Sequence, residues 1–221
     1  MAGRAVAPPP ELFAAQRATL EALHELEREV RPGVTERELA ARADELARAS
    51  GATGVWTPIT VGAGPGALVS HPDYPPTDRA VVDPDLVWID LTPDFDGWPG
   101  DATRALAVGD DAGRERVLAD VRRIERTVIE AIEPGMPANE LFWIARALLD
   151  ADGYELLDLL GNIGHDLAFG ARVTGFIDPR NRTPMWGCWA IEPHIGLDGI
   201  AAKVEDLVWL GEGEDAAVVL A

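Results

Sequence analysis

WIDLTPDFDGWPGDATR, Trp88 to Arg104, is the stretch on which the reading of the chain turns. An apolar run, Leu86 to Ile89, ends in a carboxylate at Asp90. A loop rich in Pro, Gly and Asp follows. A second carboxylate, Asp101, then leads into the apolar residues Ala105 to Val108. Strand, turn residues and strand make a β-hairpin. Residues paired across an antiparallel ladder point to one face. Asp90 and Asp101, eleven positions apart, are therefore expected to face each other from adjacent strands. Two carboxylates held together in a half-buried sheet repel, and one keeps a proton unless a cation lies between them. Oxygen ligands of this kind suit hard cations. Solvated loop acids are the competing reading of the same two residues.

Outside that stretch the composition is that of a globular chain. Its 221 residues, 47 % apolar and 26 % charged, suffice for one large domain or two small ones with a proper core. The formal charge of −19 argues against nucleic acid or an anionic membrane as partner. No apolar run approaches the ~18 residues of a membrane span, and the opening MAGRAVAPPPELF lacks the apolar core of a signal peptide. The one cysteine, Cys188, excludes an internal disulfide framework and reads as a buried apolar thiol. Together these features read as a soluble cytoplasmic protein. Trp98, Trp186 and Trp189 stand near acidic segments, where pocket lining and ordinary core packing are both open.

The hairpin is flanked by helical patterns that occur twice. Residues 1–10 are a Pro/Ala-rich stretch expected to be disordered. Phe13, Leu20, Leu23 and Val30 give a helical stripe over Glu11 to Val30, stopped by Pro32-Gly33. Thr35 with Glu38 three positions on is a capping box for a second helix ending at Gly51. Beyond the hairpin, Val117, Val121, Ile124, Val128 and Ile132 mark a third helix. A fourth runs from about Ala138 to Ala151 and stops at Gly153. Arg28–Gly51 aligns with Glu130–Gly153 at an offset of 102 positions, Pro32-Gly33 on Pro134-Gly135, Glu38 on Glu140 and Leu39 on Leu141. The repeat predicts two similar α+β halves, about 11–109 and 113–221. Neither has an obvious core of its own, so they are expected to share one sheet layer within a single domain, 11–221, with helices on one face and a site on the other.

Three further groups stand where the apolar pattern makes them costly. His165 lies in GNIGHD, Glu192 in WAIEPH, and Glu205 in AAKVEDLVWL. Acids inside apolar strands need a partner or a metal. One imidazole and four carboxylates form a ligand set suited to two divalent ions such as Mn²⁺, Co²⁺, Fe²⁺ or Zn²⁺. Paired metals of this kind activate water and stabilise an oxyanion at an attacked carbonyl.

With these residues in view the sequence resembles the methionine aminopeptidase, prolidase and creatinase superfamily, the pita-bread metallopeptidases. The resemblance lies in Asp90, Asp101, Thr103 and Arg104, in the twice-occurring Pro-Gly turn with Glu-Leu, in Gly164-His165, in Glu192-Pro193 and in Glu205-Asp206, in that order over about 11–221. It implies a pita-bread α+β fold of duplicated halves related by a pseudo-two-fold axis. It implies that Asp90 chelates one metal, that Asp101 and Glu205 bridge two, and that His165 and Glu192 hold the other. Glu192 would also accept a proton from water, and His71, in VSHPDYP, would contact substrate and pass a proton; a surface loop histidine is the other reading of His71. Thr92 departs from the family's usual Gly. The family's second functional histidine falls on Arg172, which weakens the case for ordinary peptidase activity. His194 is two residues beyond Glu192, on the same face if both lie on one strand, and could supply the imidazole or be structural. The expected function is a dinuclear-metal aminopeptidase for peptides, of Xaa-Pro rather than methionine type on the short Glu192-to-Glu205 spacing. A metal-dependent hydrolase or lyase of a small metabolite is the alternative, and a non-catalytic peptide-binding module the third reading. A homodimer is a family-level expectation.

Overall fold

The computed structural model describes residues 5–70 and 74–221. The chain makes two similar passes. Helices α1 (Pro10–Glu27) and α2 (Glu36–Ala49) precede strands β1 (Thr60–Ala63), β2 (Asp85–Leu91) and β3 (Ala102–Val108). Helices α3 (Ala112–Glu130) and α4 (Ala138–Asp152) precede β4 (Gly164–Asp166), β5 (Gly187–Ile191), β6 (His194–Leu197), β7 (Ile200–Lys203) and β8 (Asp206–Leu210). Shorter strands complete the sheets. The first sheet runs β1-β2-β3, and the second joins β4, β5 and β8; β6 and β7 form a hairpin in a third. All of these pairings are antiparallel.

Local chemistry explains the helix starts. Thr35 Oγ1 accepts from the Glu38 amide at 3.1 Å and Glu38 Oε2 accepts from the Thr35 amide at 2.8 Å, the expected capping box. The cap does not recur in the second half. Pro137 occupies the N-cap of α4 and has no side-chain acceptor. There the free amides of Ala138 and Asn139 donate to the carbonyls of Thr183 and Asn181. Helix α1 also differs from its expected stripe. It buries Leu12, Ala15, Gln16, Thr19, Leu23 and Leu26 and leaves Phe13 exposed. Of residues 1–10, 1–4 lie outside the described residues, while the Val6 carbonyl accepts from Trp209 Nε1 at 3.2 Å.

Packing places the site between the halves. One buried cluster joins α1 and α2 to β1 and β2 through Leu23, Leu26, Leu39, Leu46, Val61 and Ile89. Another joins α3 and α4 to the second-half strands through Val121, Ile124, Leu141, Leu149, Ile191 and Ile195, and takes in Leu86, Trp88 and Ala105 of the first hairpin. The halves meet at a bridge between Thr103 and Glu205, which exchange backbone hydrogen bonds at 3.1 and 3.4 Å. These two residues are 102 positions apart, the offset of the repeat. The pseudo-two-fold axis therefore passes between them.

Candidate active site

Strands β2 and β3 form the expected hairpin, but its register is shifted by two residues. Asp90 lies opposite Thr103, and Asp101 sits just before β3 begins. Asp90 and Asp101 thus share a face as diagonal rather than direct neighbours. The hairpin loop between them folds into a smaller hairpin of its own, Pro93–Phe95 against Trp98–Pro99. Asp101 is held from outside the sheet by Gln16. The Gln16 Nε2 donates to the Asp101 carbonyl at 2.8 Å and Gln16 Oε1 accepts from the Asp101 amide at 2.9 Å.

His165 stands in β4, opposite Ala190 of β5. Its Nδ1 lies 2.9 Å from the Asp166 carbonyl. A carbonyl only accepts, so Nδ1 donates to it and Nε2 is the nitrogen turned toward the acids, the orientation a metal-binding imidazole needs. Nε2 is 3.6 Å from Asp101 Oδ2 and 3.8 Å from Glu192 Oε1. Glu192 follows β5, its amide bonded to the Ile163 carbonyl at 2.9 Å. Glu205 precedes β8 and its Oε2 accepts from Thr103 Oγ1 at 2.9 Å. Asp101, His165 and Glu205, all buried, offer ligand atoms within 4.8 Å of one another. All five expected donors line one cavity of about 480 Å³ whose walls include Trp56, Leu159, Leu160, Val173 and Phe176. No residue of the four helices lines it.

Electrostatics set Asp101 and Glu205 apart from Glu192. Burial, then Glu205, Asp90 and Glu192, push Asp101 well above the usual carboxylate range. Burial raises Glu205 to about 8, with Glu192 and Asp90 adding to it. Glu192 goes the other way. Burial alone would raise it, but Lys203 and His165 outweigh burial and hold it below its ordinary value. Lys203 Nζ lies 2.7 Å from Asp90 Oδ2, 2.9 Å from Glu192 Oε2 and 3.5 Å from Glu205 Oε2. Burial would lower the ammonium's pKa, but these three acids raise it well above the ordinary lysine value. Asp90 Oδ1 and Asp101 Oδ2 are buried acceptors with no hydrogen-bond partner among the described residues. Unpaired buried acceptors beside an imidazole nitrogen are the donor set of a divalent cation, so one ion fits at Asp101, His165 and Glu205.

A family model described as metallopeptidase family M24 matches residues 11–212. The chain belongs to metallopeptidase family M24. It is 31 % identical over 182 residues to an Xaa-Pro dipeptidase of Lactobacillus helveticus, covering 80 % of this chain and 49 % of that one. It is 31 % identical over 168 residues to a methionine aminopeptidase of Helicobacter pylori, covering 72 % and 65 %. The prolidase of Pyrococcus furiosus superposes with a TM-score of 0.87 at 25 % identity, over 98 % of this chain and 65 % of that one. This M24 chain spans about half the length of the Xaa-Pro dipeptidase it matches. The fold is the expected α+β pita-bread fold. As a member of a metallopeptidase family with a buried Asp-His-Glu group, the chain has the residues for divalent metal.

Within this M24 frame the remaining residues fall into place. His71 lies outside the described residues. His194 lines the cavity, but Glu192 and Pro193 separate β5 from β6, so the two-residue periodicity does not carry from Glu192 to His194. Its Nε2 donates to the Ala67 carbonyl at 2.8 Å, and burial pushes its pKa down to about 4, which keeps the ring neutral. Arg172 is exposed at the end of a tight turn from Ala168 and does not line the cavity. Trp98 and Trp186 line a separate groove, and Trp189 is core. Two other tryptophans line the site cavity: Trp56, its ring 6.0 Å from that of His165, and Trp88, its ring 5.6 Å from that of His194. Gln16 and Lys203 carried no expectation. The signal for Gln16 was a lone amide on an apolar helix face.

Behind β3 and β8 lies another buried acid. Glu125 of α3 is 7 % exposed, and its Oε1 finds no hydrogen-bond partner among the described residues. Burial, with Asp206 adding and Arg104 opposing, raises its pKa well above the ordinary value. An acid whose folded pKa is raised keeps its proton while the unfolded chain has lost it. Stability therefore falls as pH rises above the unfolded value near 4.3. Glu125→Gln is expected to be more stable than the parent at pH 7 by about 1 kcal/mol, or roughly 2–4 °C in Tm. The gain should fade toward pH 4. Thermal melts from pH 4 to 8 check this; a gain independent of pH would mean the carboxyl is not the source.

Proposed function

We propose that this chain is a metal-dependent aminopeptidase that removes the N-terminal residue of short peptides, with proline following that residue. The observation that carries the reading is the convergence of Asp101, His165 and Glu205 beside Glu192 on the floor of one apolar-walled cavity. A divalent ion held by Asp101, His165 and Glu205 would polarise the scissile carbonyl and make water more acidic. Glu192, kept ionised by Lys203, is the group that accepts the proton of the attacking water and returns it to the leaving amine. Trp56, Leu159, Val173 and Phe176 exclude water and offer an apolar wall to the side chain and the proline ring. His194, neutral and tied to Ala67, lines the same cavity as a fixed polar contact for the substrate backbone. Proteins to which the chain is similar are named Xaa-Pro dipeptidase, prolidase and methionine aminopeptidase; the Xaa-Pro preference rests on the short spacing from Glu192 to Glu205. A cytoplasmic homodimer belongs to this proposal through the family resemblance alone.

A second reading, hydrolysis or lysis of a small metabolite, is favoured by Arg172, which stands exposed where family members carry a second functional histidine. Dipeptides with and without proline, incubated with protein loaded with Mn²⁺, Co²⁺, Zn²⁺ or Fe²⁺, separate the two. Cleavage of Xaa-Pro substrates in preference to Met-Ala is the expected result. A metal-loaded protein that cleaves no dipeptide would transfer the assignment to the metabolite reading, and a protein that retains no metal would leave a peptide-binding module.

A further inference from the structure

The duplicated architecture puts a cation inside the site. At the repeat offset of 102 positions, Asp90 corresponds to Glu192, Thr103 to Glu205, and Asp101 to Lys203. The first half thus supplies a carboxylate where the second supplies an ammonium group. Lys203 Nζ is within 2.7 Å of Asp90 Oδ2 and 2.9 Å of Glu192 Oε2, and 3.5 Å from Glu205 Oε2. Asp90 makes its one side-chain hydrogen bond among the described residues to this lysine. The Lys203 residue is only 9 % exposed, and its neighbours Ala201 and Ala202 are fully packed. Asp90 is the ligand that a second metal ion would need in addition to the shared carboxylates.

We propose that Lys203 is a built-in substitute for the second metal ion, so that this chain binds one divalent cation, at Asp101, His165 and Glu205, and uses the ammonium group at the other position. This inference rests on the metallopeptidase reading and fixes its metal count. Four carboxylates are neutralised by two dications. With an ammonium already among them, one dication leaves a single negative charge, whereas two would leave the buried site positive and would force Lys203 away from three acids. The lysine also does what a second ion at Asp90 could do for the chain itself: it holds Asp90 and Glu192 in place, at 2.7 and 2.9 Å.

Metal-free protein titrated with Mn²⁺ tests this by the number of ions retained per chain after desalting and by the electron paramagnetic resonance spectrum. Wild type is expected to hold one ion and to give the six-line signal of isolated Mn²⁺. Lys203→Met, of similar length and uncharged, is expected to hold two, with the broadened signal of a coupled pair. Two ions in wild type would overturn the inference and leave the peptidase reading standing. No ion in wild type would overturn both. One ion in wild type and one in a folded Lys203→Met would show that the lysine is not what limits the count, and would also overturn it. If circular dichroism shows that Lys203→Met does not fold, Lys203→Gln takes its place, and the wild-type count and spectrum decide.

Discussion

Asp101→Asn is expected to lower divalent-metal affinity by at least about 100-fold, to abolish the proposed hydrolysis, and at the same time to make the metal-free protein more stable at neutral pH. The three effects have one cause. Asp101 is 2 % exposed, and burial with three nearby acids raises its pKa well above the carboxylate range. Without a metal, folding must either protonate this group or bury its charge beside others. Asparagine keeps the shape and removes the charge. The clamp from Gln16 is unaffected, because it grips the Asp101 backbone rather than the side chain. The sign follows from linkage: a raised folded pKa costs stability only above the unfolded pKa, near 3.9. The gain, about 1–3 kcal/mol, should therefore be present at pH 7 and absent near pH 3. Melts of metal-free protein at both pH values, with and without Mn²⁺, measure it. Added Mn²⁺ should raise the Tm of wild type and leave the variant unmoved. A variant that is less stable than wild type without metal, or that still responds to Mn²⁺, would remove Asp101 from the ligand set. Function bought at the expense of stability in this way is common where charges converge.

That outcome also marks what the residue order could and could not reveal. Asp90, Asp101, Glu192 and Glu205 were legible because a charge at the edge of an apolar run stands out against its neighbours. His165 was legible from its glycine context and its place in the order. The helix pairs were legible for a similar reason: Val117, Val121, Ile124 and Val128 repeat at helical spacing, and all are buried. Gln16 was not, because its partner lies 85 positions away and only the docking of α1 brings it there. Lys203 was not, because a lysine two residues before an acid reads as a solvated strand end until three carboxylates are found around it. The His194 argument assumed an unbroken strand, and Pro193 breaks it. Sequence periodicity describes faces of one element; what lies across the pseudo-two-fold axis depends on packing between elements.

Gly164→Ala is expected to have the largest effect on the fold of any single methyl added near the site. Gly164 adopts φ +154 and sits in β4 opposite Ile191, one residue before His165. A Cβ there would come within 2.0 Å of the Ala190 carbonyl oxygen, which is backbone in the neighbouring strand and has no rotamer to yield. The Gly164 amide is also bonded to Asn162 Oδ1 at 2.9 Å, and its carbonyl accepts from Ile177 at 2.7 Å, so the residue cannot slide away along the strand. The relief available is to part β4 from β5. That breaks the pairing of His165 with Ala190 and the bond from Glu192 to Ile163, and moves two of the site's groups together. Overpacking costs about 1–3 kcal/mol even where side chains can adjust; with backbone as the obstacle, about 4 kcal/mol or more is expected. Gly161→Ala is the control. It stands three residues earlier, before β4, with a positive φ of +69 and nothing within 4 Å of the new methyl, so it should cost only the backbone term, about 1–2 kcal/mol. Urea midpoints for both variants, with Mn²⁺ affinity measured on whatever remains folded, distinguish them. If the two variants lose equal stability and Gly164→Ala keeps its metal, the close approach of β4 to β5 is not what positions His165.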